Sequence, residues 1–144
     1  MKDIFASIYE LFISVYGDNL AGYLYGFCDD GDGGMYSKIG LIMVIITALL
    51  CFFYYFFFTN SERYKLKYWV GFLVGAALLS GFFAFYLPYI DYDRGLVCAQ
   101  YLYSFDNAVF FGIINSIYSA LIFFALSVFL LRYIGNKTAR YTPF

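Results

Sequence analysis

Three long apolar runs constrain this chain more than any other feature of its sequence. They are Ile39–Phe58, Tyr68–Leu87 and Val109–Leu131, and none of them contains Asp, Glu, Lys, Arg or His. A helix of about 20 residues rises about 30 Å, which is roughly the thickness of the hydrocarbon core of a bilayer. We therefore predict an all-α integral membrane protein with three transmembrane helices.

The overall composition agrees with this prediction and argues against several classes of function. Hydrophobic residues make up 63% of the 144 residues, and charged residues 13%, against about 25% in a typical soluble domain. A net charge of −1 offers no basic face to nucleic acid, so we expect no such partner. The chain has no histidine, the commonest general acid/base and a frequent metal ligand. We expect no enzymatic activity, no cofactor and no metal site.

The distribution of basic residues predicts how the chain is threaded through the membrane. We divide it into an amphipathic helix with a Gly/Asp-rich external segment (1–38), a transmembrane bundle (39–133) and a short basic tail (134–144). Basic residues flank the membrane on one side: Arg63, Lys65, Lys67, Arg132, Lys137 and Arg140. Since such residues favour the cytoplasm, loop 60–67 and the C-terminus are predicted to be cytoplasmic. We expect a bacterial inner (plasma) membrane because the chain is compact and its loops are short.

The N-terminal segment has a helical pattern that fits two placements. At 100° per residue its polar residues fall on one stripe and its apolar residues on the opposite arc. The stripe consists of Asp3, Ser7, Glu10, Ser14, Gly17 and Asp18. In one placement this helix lies at the membrane surface or against a partner protein. In the other, residues 4–27 form a fourth span whose stripe faces protein or an aqueous path.

Small residues mark the predicted faces for helix packing. The second apolar run carries a GxxxG motif and a second small-residue face, which predicts a central helix between two neighbours. The third run repeats small residues four apart. The predicted packing or interface residues are Gly71, Gly75, Ala77, Gly81, Gly112, Ser116 and Ala120. They serve contacts either within the chain or between chains.

Apart from the helix-packing faces, few residues in the sequence suggest a functional site or a disulfide. Asp3, Glu10, Asp18 and Asn115 are candidates for a polar path or for a stripe that contacts a partner. Cys28 and Cys98 both fall on the predicted external side. They would form a disulfide if that compartment is oxidising, and the alternative is two free thiols.

These features favour two functions over others. The first is a small membrane subunit that assembles into a larger membrane or envelope complex through its small-residue faces and its acidic helix. The second is a homo-oligomeric ion channel or pore-forming effector, in which several copies would gather the polar stripes around one axis. An immunity or inhibitor-like membrane protein is a weaker reading. The expected partners are the lipid bilayer and other membrane protein chains, identical or different.

Overall fold

The computed structural model describes residues 2–26, 34–57 and 66–130. Within these ranges the chain is 88% helical and has no strand, which confirms the all-helical prediction. The α-helices are α1 (Lys2–Glu10), α2 (Ile13–Tyr16), α3 (Asp18–Tyr25), α4 (Met35–Phe57), α5 (Leu66–Asp93) and α6 (Phe105–Ala125). A short 3-10 helix, Ala99–Tyr101, precedes α6, and a π-helical turn, Leu126–Leu130, continues it.

Three of these helices are long and apolar enough to cross a membrane. The stretches that qualify are Met35–Phe56, Lys67–Asp93 and Phe105–Val128, with 22, 27 and 24 residues and mean hydropathies of 2.5, 2.0 and 2.1. This confirms the number of candidate spans. Each helix begins before its apolar run in the sequence, because the polar and aromatic residues that precede the run continue the same helix.

The three long helices alternate in direction. Phe85 of α5 packs against Phe105 at the start of α6, and Trp69 of α5 reaches Ser127 just beyond the end of α6. We call the end where α4 begins, α5 ends and α6 begins the Asp91 end. The opposite end, where α5 begins, is called the Lys67 end.

A few polar side chains lie among the apolar ones inside the bundle, and large apolar side chains are exposed on its outside. Thr47, Asn115 and Ser119 are fully buried, whereas Leu49 and Leu78 keep 62% and 66% of their surface exposed. An apolar surface around such a core is suited to lipid rather than to water. Asn115 and the pair Thr47–Ser119 form hydrogen bonds between the helices of this chain.

The prediction that the second span packs between two neighbours agrees with the contacts of α5, which touches both α4 and α6. The helices α4, α5 and α6 all contact one another, and the most extensive contact joins α5 to α6. Of the three, α5 is the least buried at 22%, against 39% for α4 and 33% for α6. One face of α5 packs against α6, and the face that carries the GxxxG motif stays open. The N-terminal segment covers α4 and α6 instead.

The N-terminal segment is not one continuous helix. It breaks at Leu11–Phe12 and again at Gly17, whose φ of 88° lies in the region that favours glycine. The predicted stripe therefore does not run unbroken along it, and a nine-residue α1 rises only about 14 Å, too little to cross a membrane. The predicted apolar arc also points outward: Leu11 is 76% exposed and Ile4 is 64% exposed.

Candidate functional site: an acidic groove beside a buried row of tyrosines

A row of tyrosines, one of them from the predicted apolar arc, fastens the N-terminal segment to the bundle. Tyr9, Tyr16 and Tyr23 follow one another at intervals of seven residues, and all three are buried. Each hydroxyl meets a different long helix. Tyr9 donates to Asn115 of α6, Tyr16 lies 2.8 Å from the hydroxyl of Tyr36 in α4, and Tyr23 donates to Asp91 of α5 across 2.7 Å. We call these three residues the tyrosine row.

Asn115 lies at the deepest point that the tyrosine row reaches. Its Oδ1 accepts from the Tyr9 hydroxyl, and its Nδ2 donates to the backbone carbonyl of Ser80 across 2.8 Å. Tyr118 adds a further bond by donating to the carbonyl of Ile8 across 2.7 Å. Asn115 thus connects α1, α5 and α6, and both ends of its amide are used within the chain. The sequence identifies this asparagine, but it does not indicate that its partner is Tyr9.

Two further buried polar contacts continue toward the Lys67 end. The hydroxyls of Thr47 and Ser119 lie 2.8 Å apart and join α4 to α6. In the π-helical turn the Ser127 hydroxyl is hydrogen-bonded to Tyr55, and it accepts from the indole nitrogen of Trp69 across 2.9 Å. All five side chains are buried. The polar interior of the bundle is therefore closed by its own contacts.

The carboxylates of Glu10 and Asp18 face outward and share one groove. A cavity of about 530 Å³ is lined by both residues and by the rings of Tyr25 and Tyr101. Gly22 forms part of its floor, and a Cβ there would stand 2.4 Å from the Tyr101 ring. We call this cavity the acidic groove. Carboxylates together with aromatic rings are suited to a cationic group.

The groove also affects the tyrosine beside it. Burial raises the pKa of the Tyr16 hydroxyl to about 12, and the negative charges of Glu10 and Asp18 act in the same direction. Tyr16 is therefore a neutral hydrogen-bonding group at neutral pH. It holds Tyr36 and also donates to the carbonyl of Tyr9 across 3.1 Å.

The residues predicted to form a polar path do not come together. Glu10 and Asp18 share the acidic groove, but Asn115 lies inside the bundle and takes no part in lining it. The side chain of Asp3 lies outside the described part of the structure. The role of these residues in a path or a partner contact stays a prediction.

At the Asp91 end a cluster of aromatic side chains closes the bundle beside the tyrosine row. The Tyr103 hydroxyl donates to the carbonyl of Pro88 across 2.7 Å, and its ring packs on those of Tyr23 and Tyr92. Burial, and after it the nearby charges of Asp91 and Tyr92, raise the pKa of Tyr103 above its ordinary value. Asn19 adds a bond of 3.0 Å to the carbonyl of Leu102.

The predicted small residues divide into two groups. A Cβ on Gly81 would lie 1.9 Å from Ser116 Oγ and 2.9 Å from the carbonyl oxygen of Gly112, so this is the close crossing of α5 and α6. A Cβ on Gly71 or on Gly75 would meet nothing within 4 Å. Ala77 and Ala120 are half-buried. The second small-residue face of α5 therefore serves the chain's own packing, and the GxxxG face does not.

The cysteines are only partly described. Cys98 is disulfide-bonded, and Cys51 is free and buried in α4. Cys28 lies outside the described residues, so its pairing with Cys98 stays a prediction.

The sequence pattern contained one signal for the tyrosine row that a helical-wheel reading overlooks. A repeat of tyrosine at seven-residue intervals is a helical period. Tyrosine combines a large apolar ring with a polar tip. Such a residue fits an interior that is lined with hydroxyl and amide groups, whereas leucine and isoleucine fit the lipid side.

Over the part of the chain that the structure describes, no three His, Cys, Asp or Glu side chains come together as a metal site would require. Comparisons with protein-family models, with curated proteins and with solved structures give no match to this sequence.

Proposed function

We propose that this chain is a small integral membrane subunit that assembles into a larger membrane or envelope complex and contacts its partner through the acidic groove. The observation that carries the proposal is the contrast between two sets of polar residues. Asn115, Ser119 and Ser127 are buried inside the bundle and hydrogen-bonded within the chain, whereas Glu10 and Asp18 are exposed in one cavity on the segment that covers the bundle.

The charge of the groove indicates the chemistry of the contact. Two carboxylates that share a cavity with two tyrosine rings favour a lysine or arginine side chain of a partner over an anionic lipid headgroup, which they would repel. The tyrosine row makes the groove a rigid feature, since three hydrogen bonds to three different helices fix the segment that carries it. The proposed role is structural rather than catalytic.

The same contrast weighs against the alternative of a homo-oligomeric channel. A channel would need polar side chains to face a shared axis; Asn115 is the predicted candidate in α6, and Ser119 is a second polar residue of that helix. Both are fully buried and bonded to residues of the same chain. To line a pore they would have to give up these bonds, each worth about 0.6–2 kcal/mol between membrane helices.

We further propose that the Lys67 end faces the cytoplasm and that the membrane is a bacterial inner membrane. The basis is the excess of Lys and Arg in loop 60–67 and in the C-terminal tail. The acidic groove would then open on the external side, where Asp91 and Asp93 add negative charge.

The test is gentle purification from the native membrane followed by analysis of mass and subunit composition. We expect different chains at a fixed ratio with the wild-type protein, and their loss with the double variant Glu10→Gln/Asp18→Asn. Asp106→Asn is the matched control, because Asp106 is exposed at the same end but does not line the groove.

A ring of identical chains whose ion conductance changes in the double variant would overturn the proposal and favour the channel. Equal recovery of partners by all three proteins would refute the role of the groove.

A further inference from the structure

A second groove lies at the Lys67 end of the described structure, beside the GxxxG motif of α5. It encloses about 320 Å³ between α4 and α5, with Gly71 and Gly75 as its floor and Leu50 and Leu79 as apolar walls. The two glycines leave it open, since a Cβ at either position would meet nothing within 4 Å. We call this cavity the glycine groove.

The length of the glycine groove decides between two kinds of occupant. It extends from Lys67 to Leu79, about 18 Å along the helix, which is close to one leaflet of a core about 30 Å thick. Further along the same face the stacked rings of Phe82 and Tyr86 stand out from the helix, 53% and 41% exposed. A transmembrane helix of a partner that lay along this whole face would have to pass these two bulky rings. An acyl chain of one leaflet needs only the half of this face that lies nearer Lys67.

The charge at the mouth of the groove indicates the headgroup. Among the described residues that line it, Lys67 carries the only charge, and all the others beneath it are apolar or aromatic. The Lys67 ammonium lies 5.1 Å from the centre of the Tyr68 ring, where the two residues border the cavity. This arrangement is complementary to an anionic phospholipid. The cation would pair with the phosphate, and the apolar channel next to it would hold the acyl chain.

We propose that the glycine groove binds one anionic phospholipid, with an acyl chain over Gly71 and Gly75 and the phosphate paired with Lys67. The lipid would fill the surface that the chain's own packing leaves uncovered on α5. The site is separate from the acidic groove, which lies at the Asp91 end, and so it goes beyond the proposed assembly role.

The test is native mass spectrometry of the full chain, released from detergent micelles that contain either phosphatidylglycerol or phosphatidylcholine with the same acyl chains. We expect bound phosphatidylglycerol to exceed bound phosphatidylcholine. Lys67→Gln should reduce phosphatidylglycerol binding about fivefold, the effect of one lysine near a membrane surface. Gly71→Leu/Gly75→Leu should reduce binding of both lipids by filling the channel.

Two matched controls keep the test specific. Lys38→Gln removes an exposed cation at the other end of the bundle, and Ala48→Leu enlarges an exposed side chain of α4 that does not line the groove. Both should bind lipid as the wild type does. Because the introduced leucines face open space, the glycine variant should retain the wild-type helical circular dichroism.

Equal binding of the two lipids by the wild type, or binding unaffected by the groove variants, would overturn the proposal. A homodimer that forms in lipid and is lost in the double leucine variant would overturn it in favour of a second copy of this chain.

Discussion

The Tyr9 hydroxyl donates a hydrogen bond to Asn115 Oδ1 inside the bundle, and this bond joins the first described helix of the chain to the last. Both residues are fully buried. The asparagine would be costly at this depth without partners, because an unpaired amide in an apolar interior loses several kcal/mol of hydration. The N-terminal segment therefore completes the core of the bundle and is not an accessory to it.

The first prediction concerns this pair. In a double-mutant cycle of Tyr9→Phe and Asn115→Leu, we expect a favourable coupling energy of about 0.6–1.7 kcal/mol, the range found between membrane helices. Equilibrium unfolding in mixed micelles measures the four proteins. Tyr9→Phe combined with Ser127→Ala is the control and should be additive, because Ser127 lies about 18 Å further along α6. A coupling energy of zero for the first pair would contradict the assigned bond.

The second prediction separates two glycines of the same helix. We expect Gly81→Ala to lower the free energy of unfolding by about 1–3 kcal/mol, since its Cβ would collide with Ser116 Oγ and press on the carbonyl oxygen of Gly112. Gly75→Ala meets open space, so it should be neutral or gain up to about 1 kcal/mol from helix propensity. Unfolding of both variants under the same conditions measures the difference. Equal losses would mean that the GxxxG face is packed as tightly as the α5–α6 crossing.

The third prediction is a dependence of stability on pH. The pKa of Tyr103 is raised in the folded chain by burial, Asp91 and Tyr92, and it returns to about 10 on unfolding. The unfolded state then loses this proton at a lower pH than the folded state does. The contribution of Tyr103 is therefore complete below about pH 10 and is lost as the pH rises from there toward the folded pKa.

Unfolding measured at a series of pH values with the wild type and with Tyr103→Phe isolates this contribution. The variant cannot ionise at this position in either state, so its stability should fall less steeply above about pH 10. Identical slopes for the two proteins would contradict the prediction.

The fourth prediction concerns the cysteines. Cys98 is disulfide-bonded and Cys51 is free and buried, and we predict Cys28 as the partner of Cys98. Mass mapping of the unreduced protein should find one linked peptide with residues 28 and 98. Cys28→Ser should make the thiol of Cys98 reactive toward a maleimide, whereas Cys51→Ser should leave the linked peptide in place. A dimer that runs as one band only without reductant would instead indicate a bond between two chains.

Much of the fold follows from local features of the sequence. Runs that lack any charge over about 20 residues leave few alternatives to a membrane helix, and the three candidate spans appear where the runs lie. The N-terminal segment was harder to predict. On the wheel Glu10 and Asp18 lie on the polar stripe, opposite an apolar arc that includes Tyr16 together with two aliphatic residues, Leu11 and Val15. In the structure these two are exposed, while Tyr9 and Tyr16 are buried.

The sequence by itself determined that the chain is helical, that three of its helices are long and apolar enough for a membrane, and that small residues allow close approach on two faces of α5. These are properties of single segments, set by length, hydropathy and side-chain volume. The tertiary structure alone decided which glycine face is used, with Gly81 against Ser116 while Gly71 and Gly75 stay open. It also decided that Asn115 pairs with Tyr9. Both outcomes depend on how the helices rotate against one another to pair buried polar groups and to pack side chains, and no single segment contains that information.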